Sequence, residues 1–181
     1  MHLDDKALLN DFKLPVLKEQ AFTNIVKKYQ EKLYWHIRRM VIEHEDANDI
    51  LQNMFIKVWN SLGNFREDSQ LYTWLYRIAT NESLTYIEQQ KRRSSVSLSD
   101  VEDGLSNKIK ADQHFDPNKL EWKLQLAIQK LPEKQRIVFN LRYYDEMPYE
   151  EMSRVLETSE GALKASYHHA AKKIEDYMLN R

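Results

Sequence analysis

Cysteine is absent from the 181 residues, which removes disulfide frameworks, thiolate metal sites and cysteine nucleophiles. Glycine occurs only three times, too sparsely for a phosphate-cradling loop or a dinucleotide-binding turn, both of which need clustered glycine. No apolar run approaches the roughly 20 residues that a membrane span requires. The N-terminus MHLDDKALLN carries acids where a signal peptide has a basic region and then an apolar run, so a cytoplasmic location is expected. Strand signals are missing too, and the chain reads as all-α. Neither sign of charge predominates, with 27 Lys and Arg against 28 Asp and Glu. The formal net charge is -1, whereas a free-standing DNA-binding protein is usually basic, because counterion release by Lys and Arg supplies most nonspecific affinity.

What the chain does have is 42% hydrophobic residues, enough to bury one large core or two small ones. The most informative stretch runs from Met147 to Lys173 and reads as two short helices joined by a tight turn. In the first, Tyr149, Met152 and Leu156 recur at spacings of three and four and share a face. Glu157-Thr158-Ser159 interrupts the pattern, and Ser159 is placed to cap a second helix with the stripe Leu163, Tyr167, Ala170, Ile174, Tyr177 and Met178. Glu160, Lys164, His168 and Lys172 occupy its opposite face. An ordinary helical hairpin shares this periodicity. A helix-turn-helix is favoured by small residues at Ser153 and Gly161, where steeply crossing helices must approach, and by Gly161, Ala162 and Ala165 on the outward face, where a backbone must approach DNA.

In the N-terminal half, Phe22, Ile25, Val26, Tyr29, Leu33, Ile37, Met40 and Val41 trace the stripe of a long helix starting near Leu17. After the break Glu43 to Asp46, Ala47, Ile50, Leu51, Met54, Phe55, Val58, Trp59 and Leu62 mark a second helix, with Asp49, Gln52, Asn53 and Lys57 facing away. His44, Glu45, Asp46 and Asp49 do not amount to a metal site, since no second ligand pair answers them, and none is expected. Gly63 to Gln70 is a polar loop holding Phe65 beside Arg66, and it feeds a third helix whose core face is read as Leu71, Trp74, Leu75 and Ile78. Tyr72, Thr73, Tyr76, Arg77 and Asn81 decorate the rest, and Lys91, Arg92 and Arg93 close it. Rings that stack, an amide that reads a base edge and cations that hold a backbone suit unpaired bases.

From Ser94 to about Glu121 periodicity fails, and six acids against three lysines mark a flexible acidic linker. The expected organisation is therefore a helical domain over 1–93, a linker over 94–119 and a helix-turn-helix domain over 120–181. The last begins with Leu120, Leu124, Ala127, Ile128 and Leu131 on one helix that stops at Pro132.

QAFTNIVKKY, ANDILQNMFIKVW, LYTWLYRIATNESL, a linker, and LPEKQRIVFNLRYYDEMPYEEMSRVLETSEGALKASYHHAAKKI follow one another in a familiar order and spacing. Over about residues 17 to 178 the chain resembles the bacterial RNA polymerase sigma factors of the extracytoplasmic-function (ECF) group. The resemblance implies a promoter-specificity subunit with no catalytic residues, cofactor, metal or small-molecule substrate. Its partners would be promoter DNA, the core polymerase through its β′ clamp helices and β flap, and an anti-sigma factor. By the same resemblance Asp49, Gln52, Asn53 and Phe55 lie in the helix that docks on the clamp helices. Asn64, Phe65, Arg66 and Asp68, with Tyr72, Thr73, Arg77, Asn81, Lys91, Arg92 and Arg93, match the loop and helix that open the minus-10 element and capture a flipped base. Ser159, Glu160, Gly161, Lys164, Ala165, His168 and Lys172 match the helix that reads the minus-35 duplex.

The chain departs from the family at several positions. The recognition helix has Ala162, Leu163, Ser166, His168 and His169 where a threonine, a valine and an arginine-rich run are usual, which shifts the expected contacts toward phosphates and DNA shape. Glu157 replaces the glycine common in the turn, a strain if positive φ is needed there, and Thr85 stands where an aspartate is frequent. The alternatives are a stand-alone helix-turn-helix repressor, which leaves the N-terminal half unexplained, and an enzyme, for which no nucleophile-base pairing appears.

Overall fold

The computed structural model describes residues 4–41, 43–94 and 120–179. Among them are eight α-helices and no strand: α1 (Asp5–Phe12), α2 (Lys18–Val41), α3 (His44–Ser61), α4 (Leu71–Ser94), α5 (Leu120–Gln129), α6 (Glu133–Tyr143), α7 (Tyr149–Leu156) and α8 (Glu160–Leu179). A 3-10 turn, Leu62–Asn64, follows α3. Except for Ser94, the stretch read as an acidic linker lies outside the described residues. Two compact units emerge. One runs through Tyr86, the other starts at Ile87, and Arg154–Leu156 group with the first.

In the first unit α2 and α3 form at the expected stripes, with Ile25, Leu33, Ile37, Ala47, Met54 and Val58 buried. The helix over Asp5–Phe12 was not anticipated from the sequence, although Leu8, Leu9 and Phe12 are spaced as one apolar face and all three are buried. Phe12 meets Trp59 edge-on at 5.6 Å between ring centroids, and Phe22 meets Trp59 at 5.0 Å. The Lys18 ammonium lies 4.7 Å from the Trp59 ring centroid. Aromatic edges and a cation thus fasten α1 to α2 and α3.

The structure rotates the buried face of α4 away from the apolar letters. Leu71 and Leu75 are buried as expected, but Thr73, Tyr76, Thr80 and Ser83 join them, while Trp74 and Ile78 are only half-buried. Hydrogen bonding explains how polar groups enter the core. The Thr80 hydroxyl donates to the Tyr76 carbonyl at 2.7 Å, and Ser83 donates to that of Ala79 at 2.8 Å. His36 of α2, fully buried, brings Nε2 within 2.8 Å of Thr80 Oγ1. The hydroxyls of Thr80 and Ser83 and His36 Nε2 thus have partners inside, which offsets the desolvation cost that makes such residues look like surface.

Tyr29 gives this unit a pH dependence. Burial, and then the hydrogen bond to Asp5, push its phenol far above the ordinary tyrosine range. The folded chain opposes ionisation, so the stability this phenol confers is complete below about pH 10 and is lost as pH rises beyond it. Denaturant melts of the wild type and Tyr29→Phe on raising the pH should diverge above about pH 10, the wild type losing up to about 1.4 kcal/mol more per pH unit. Parallel curves contradict this.

The second unit packs α5, α6 and α8 around Ala127, Ile128, Leu131, Phe139, Ala170 and Ile174, with Leu124, Tyr144, Tyr167, Tyr177 and Met178 against them. Helix α5 ends three residues before Pro132: Leu131 N–H bonds to the Ile128 carbonyl at 3.1 Å and tightens the exit. Pro132 then stands at the N-cap position of α6, where its missing N–H is harmless.

Candidate nucleic-acid and polymerase interfaces

Helices α7 and α8 occupy the expected stretches. Pro148 precedes α7, whose buried side chains are Glu151, Met152 and Val155; Tyr149 and Leu156, expected on that face, are half-buried. The stripe is thus turned by one position. Tyr149 packs beneath two cations, with the Arg142 guanidinium carbon 5.0 Å and the Lys164 ammonium 5.6 Å from its ring centroid. Ser159 caps α8 as expected, accepting a hydrogen bond from Ala162 N–H at 3.3 Å.

Between the helices Glu157 adopts φ 52° and ψ 41°, the left-handed conformation that favours glycine. An L-residue there costs about 1–2 kcal/mol, partly offset by the greater freedom of glycine in the unfolded chain. Glu157→Gly should therefore raise the melting temperature of this unit by about 4 °C. A calorimetric scan that shows no rise contradicts it.

All seven residues assigned to duplex reading are exposed: Ser159, Glu160, Gly161, Lys164, Ala165, His168 and Lys172. Leu163, Ala170 and Ile174 lie on the buried side, so α8 presents a continuous outward stripe. Gly161 is not required by packing, since a Cβ there meets nothing within 4 Å. Close helix crossing, one of the two reasons given for its small size, is thereby overturned.

The strand-opening candidates, of which Lys91, Arg92 and Arg93 group with the second unit, divide. Asn64, Arg66, Asp68, Arg77, Asn81, Arg92 and Arg93 are exposed, Tyr72 and Lys91 are half-buried, and Thr73 is buried with 1% of its surface exposed. Thr73 therefore contributes packing in this state and presents nothing to solvent. Phe65 packs on Trp74, ring centroids 5.0 Å apart and planes 37° from parallel. Beside this pair lies a groove of about 480 Å³ lined by Lys57, Asn60, Ser61, Trp74, Ile78, Asn81 and Glu82. Lys57 and Glu82 form an ion pair at its rim. Asn81 is the one lining residue that the family resemblance assigns to strand opening. Lys57, Asn60 and Ser61 come from α3, and their i, i+3, i+4 spacing marks them as one patch of that helix.

A second groove, about 610 Å³, runs between α2 and α3 and is lined by Phe22, Val26, Gln30, Asn48, Leu51, Gln52, Phe55, Ile56 and Trp59. Gln52 and Phe55 were expected on a docking face. Phe55 is largely buried as the groove floor, while Asp49 and Asn53 are exposed outside the lining. Ile56, 59% exposed, was missed, although an apolar residue one turn from Gln52 signals a sticky rim. The ring nitrogens of His44 lie 2.6 Å from Tyr34 Oη and 3.0 Å from Asn48 Nδ2. No group of three or more potential ligands converges, and no helix is long and apolar enough to cross a membrane, among the described residues.

The chain thus joins a helix-turn-helix with an exposed outward stripe to a second helical unit that bears an aromatic-lined groove. Residues 25–93 match the model of Sigma-70 region 2, and residues 121–174 match that of Sigma-70, region 4. The chain is 33% identical over 165 residues to the RNA polymerase sigma-H factor of Pseudomonas aeruginosa, covering 87% of this chain and 86% of that one. It is 31% identical over 170 residues to the ECF RNA polymerase sigma-E factor of Escherichia coli, with 87% and 86% covered. Among solved structures it is similar to CnrH in complex with the cytosolic domain of CnrY, at a TM-score of 0.68 and 22% identity over 94% of each chain. It is also similar to the sigma factor RpoE in complex with the anti-sigma factor NepR from Bartonella quintana, at a TM-score of 0.67 and 17% identity, covering 88% of this chain and 98% of that one. The chain belongs to the sigma-70 family, in its ECF group, and is a transcription initiation factor.

Proposed function

We propose that residues 1–93 dock on the core polymerase and open the minus-10 element, that 120–181 read the minus-35 element, and that 94–119 connect them. The observation that carries the reading is the outward stripe of α8, where seven assigned residues are all exposed while Leu163, Tyr167 and Ala170 between them are not. Lys164 and Lys172 supply phosphate contacts, and the short side chains of Gly161 and Ala165 admit the helix into the major groove. Asp49, Gln52, Asn53 and the groove floored by Phe55 form the clamp-helix surface. Phe65, Trp74 and Asn81 hold an unpaired base, the rings by stacking and the amide at the base edge, while Arg66, Arg77, Lys91, Arg92 and Arg93 follow the backbone. The protein acts by binding alone, in the cytoplasm where the polymerase works, and carries out no chemistry. An anti-sigma factor restrains it by covering the Phe55 and Tyr167 faces.

The test is salt-dependent binding to minus-35 duplexes. Removing two phosphate contacts with Lys164→Ala and Lys172→Ala should reduce the slope of log affinity against log salt by about 2. An unchanged slope removes these lysines from the interface.

A further inference from the structure

We propose that α1 braces the strand-capturing face of the first unit, with Asp5 and Lys13 as positioning residues at its two ends. The inference rests on the assignment of that face to promoter opening. Helix α1 precedes residue 25, where the match to region 2 begins, so the match gives it no role.

At the first end Asp5 uses both carboxylate oxygens. Oδ1 lies 2.7 Å from Lys28 Nζ, and Oδ2 accepts from the Tyr29 hydroxyl at 2.6 Å. The cluster is partly buried, which strengthens it over a surface pair. Tyr29 is held as a neutral donor and lies within electrostatic reach of Tyr72. Tyr72 meets Tyr76 edge-on at 6.2 Å, and Tyr76 packs on buried His36 at 5.0 Å. Tyr72 of the opening face is thus backed through Tyr76 by α2, the helix that Asp5 of α1 clamps at Lys28 and Tyr29.

At the other end Lys13, the residue after α1, places its ammonium 3.3 Å from the Glu67 carboxylate. Glu67 sits in the loop that carries Phe65 and Arg66, with φ 58°, a conformation L-residues disfavour. The two anchor points are about 12 Å apart along a helix axis, and a rigid bar of that length ties the loop to α2. Neither Asp5 nor Lys13 contacts nucleic acid in this arrangement. They act by lowering the ordering cost of side chains that do. The Lys13–Glu67 pair is exposed and contributes little to stability, so its effect is on positioning.

The experiment compares full-length wild type, Tyr29→Phe and the double variant Asp5→Ala with Lys13→Ala, each with core polymerase. Permanganate reactivity of minus-10 thymines is read on a duplex promoter, and retention of DNA by the polymerase complex is read on the same promoter supplied pre-melted. The double variant should show about tenfold less reactivity on the duplex, with Tyr29→Phe intermediate, and all three proteins should engage the pre-melted DNA within about twofold. Equal reactivity on the duplex overturns the proposal, as does an equal loss on both templates, which signals misfolding or lost polymerase binding. If the double variant melts early, Tyr29→Phe alone decides, since it leaves the buried contacts of Leu8, Leu9 and Phe12 in place. No reactivity even with wild type fails the opening assignment itself and is distinguished by that control.

Discussion

Leu163→Ala should unfold the C-terminal unit at ordinary temperature and abolish minus-35 binding. Leu163 lies in the first turn of α8 with 1% of its surface exposed, and truncating a leucine so enclosed costs about 2–5 kcal/mol. A unit of this size holds only about 3–5 kcal/mol in total, so the loss is comparable to the reserve. Calorimetry should show the transition of this unit lost or displaced below room temperature, with that of the first unit unmoved. The neighbouring Lys164→Ala, on the exposed side, should stay within about 0.5 kcal/mol of wild type. Two variants one residue apart thus separate the face that folds the helix from the face proposed to read DNA. Equal melting temperatures for wild type and Leu163→Ala contradict the packing described for α8.

The second large effect belongs to Trp74. Its ring supports Phe65 on one side and walls the groove containing Asn81 on the other, so Trp74→Ala removes both stacking surfaces. Aromatic stacking on an unpaired base contributes about 1–3 kcal/mol, which corresponds to a loss of roughly 5- to 150-fold in open complexes. Polymerase carrying the variant should still bind promoter duplex but fail to raise the fluorescence of 2-aminopurine placed in the non-template minus-10 strand. Trp74→Phe, which retains a ring, should recover most of the signal. Wild-type fluorescence from Trp74→Ala sinks the assignment of this groove to base capture.

How far these features were legible in the sequence depends on which letters carry the signal. Helices α2, α3, α7 and α8 announce themselves by apolar spacing, and the Ser159 cap and strained Glu157 turn follow from residue chemistry at one position each. The face of α4 was misread because Thr73, Thr80 and Ser83 enter the core through hydrogen bonds, which a reading of apolar letters discounts, and because Trp74 does its packing at a rim. Helix α1 was overlooked since its Leu8, Leu9 and Phe12 make barely two turns of pattern, and its stability comes from Trp59 and Tyr29, far away in sequence. The grooves are products of helix pairing. Asn60, Ser61 and Lys57 become neighbours of Asn81 only when α3 lies beside α4, and no spacing within either helix contains that fact.

Near-neutral charge also acquires a physical sense. A chain of net charge -1 gains little from counterion release, so its hold on DNA must be supplemented by the polymerase on which it docks. Acids that cancel the cations keep the free protein from occupying random duplex, at the cost of weak binding when alone.

Run-off transcription with core polymerase from the source organism, on a pool of its own upstream regions, tests the central claim most directly. Discrete transcripts that appear only when this protein is added are the predicted result, and their start sites should share one motif near minus-35 and another near minus-10. No protein-dependent transcript, together with retardation of palindromic duplex by the protein alone as a dimer, contradicts the account and leaves a stand-alone regulator in its place.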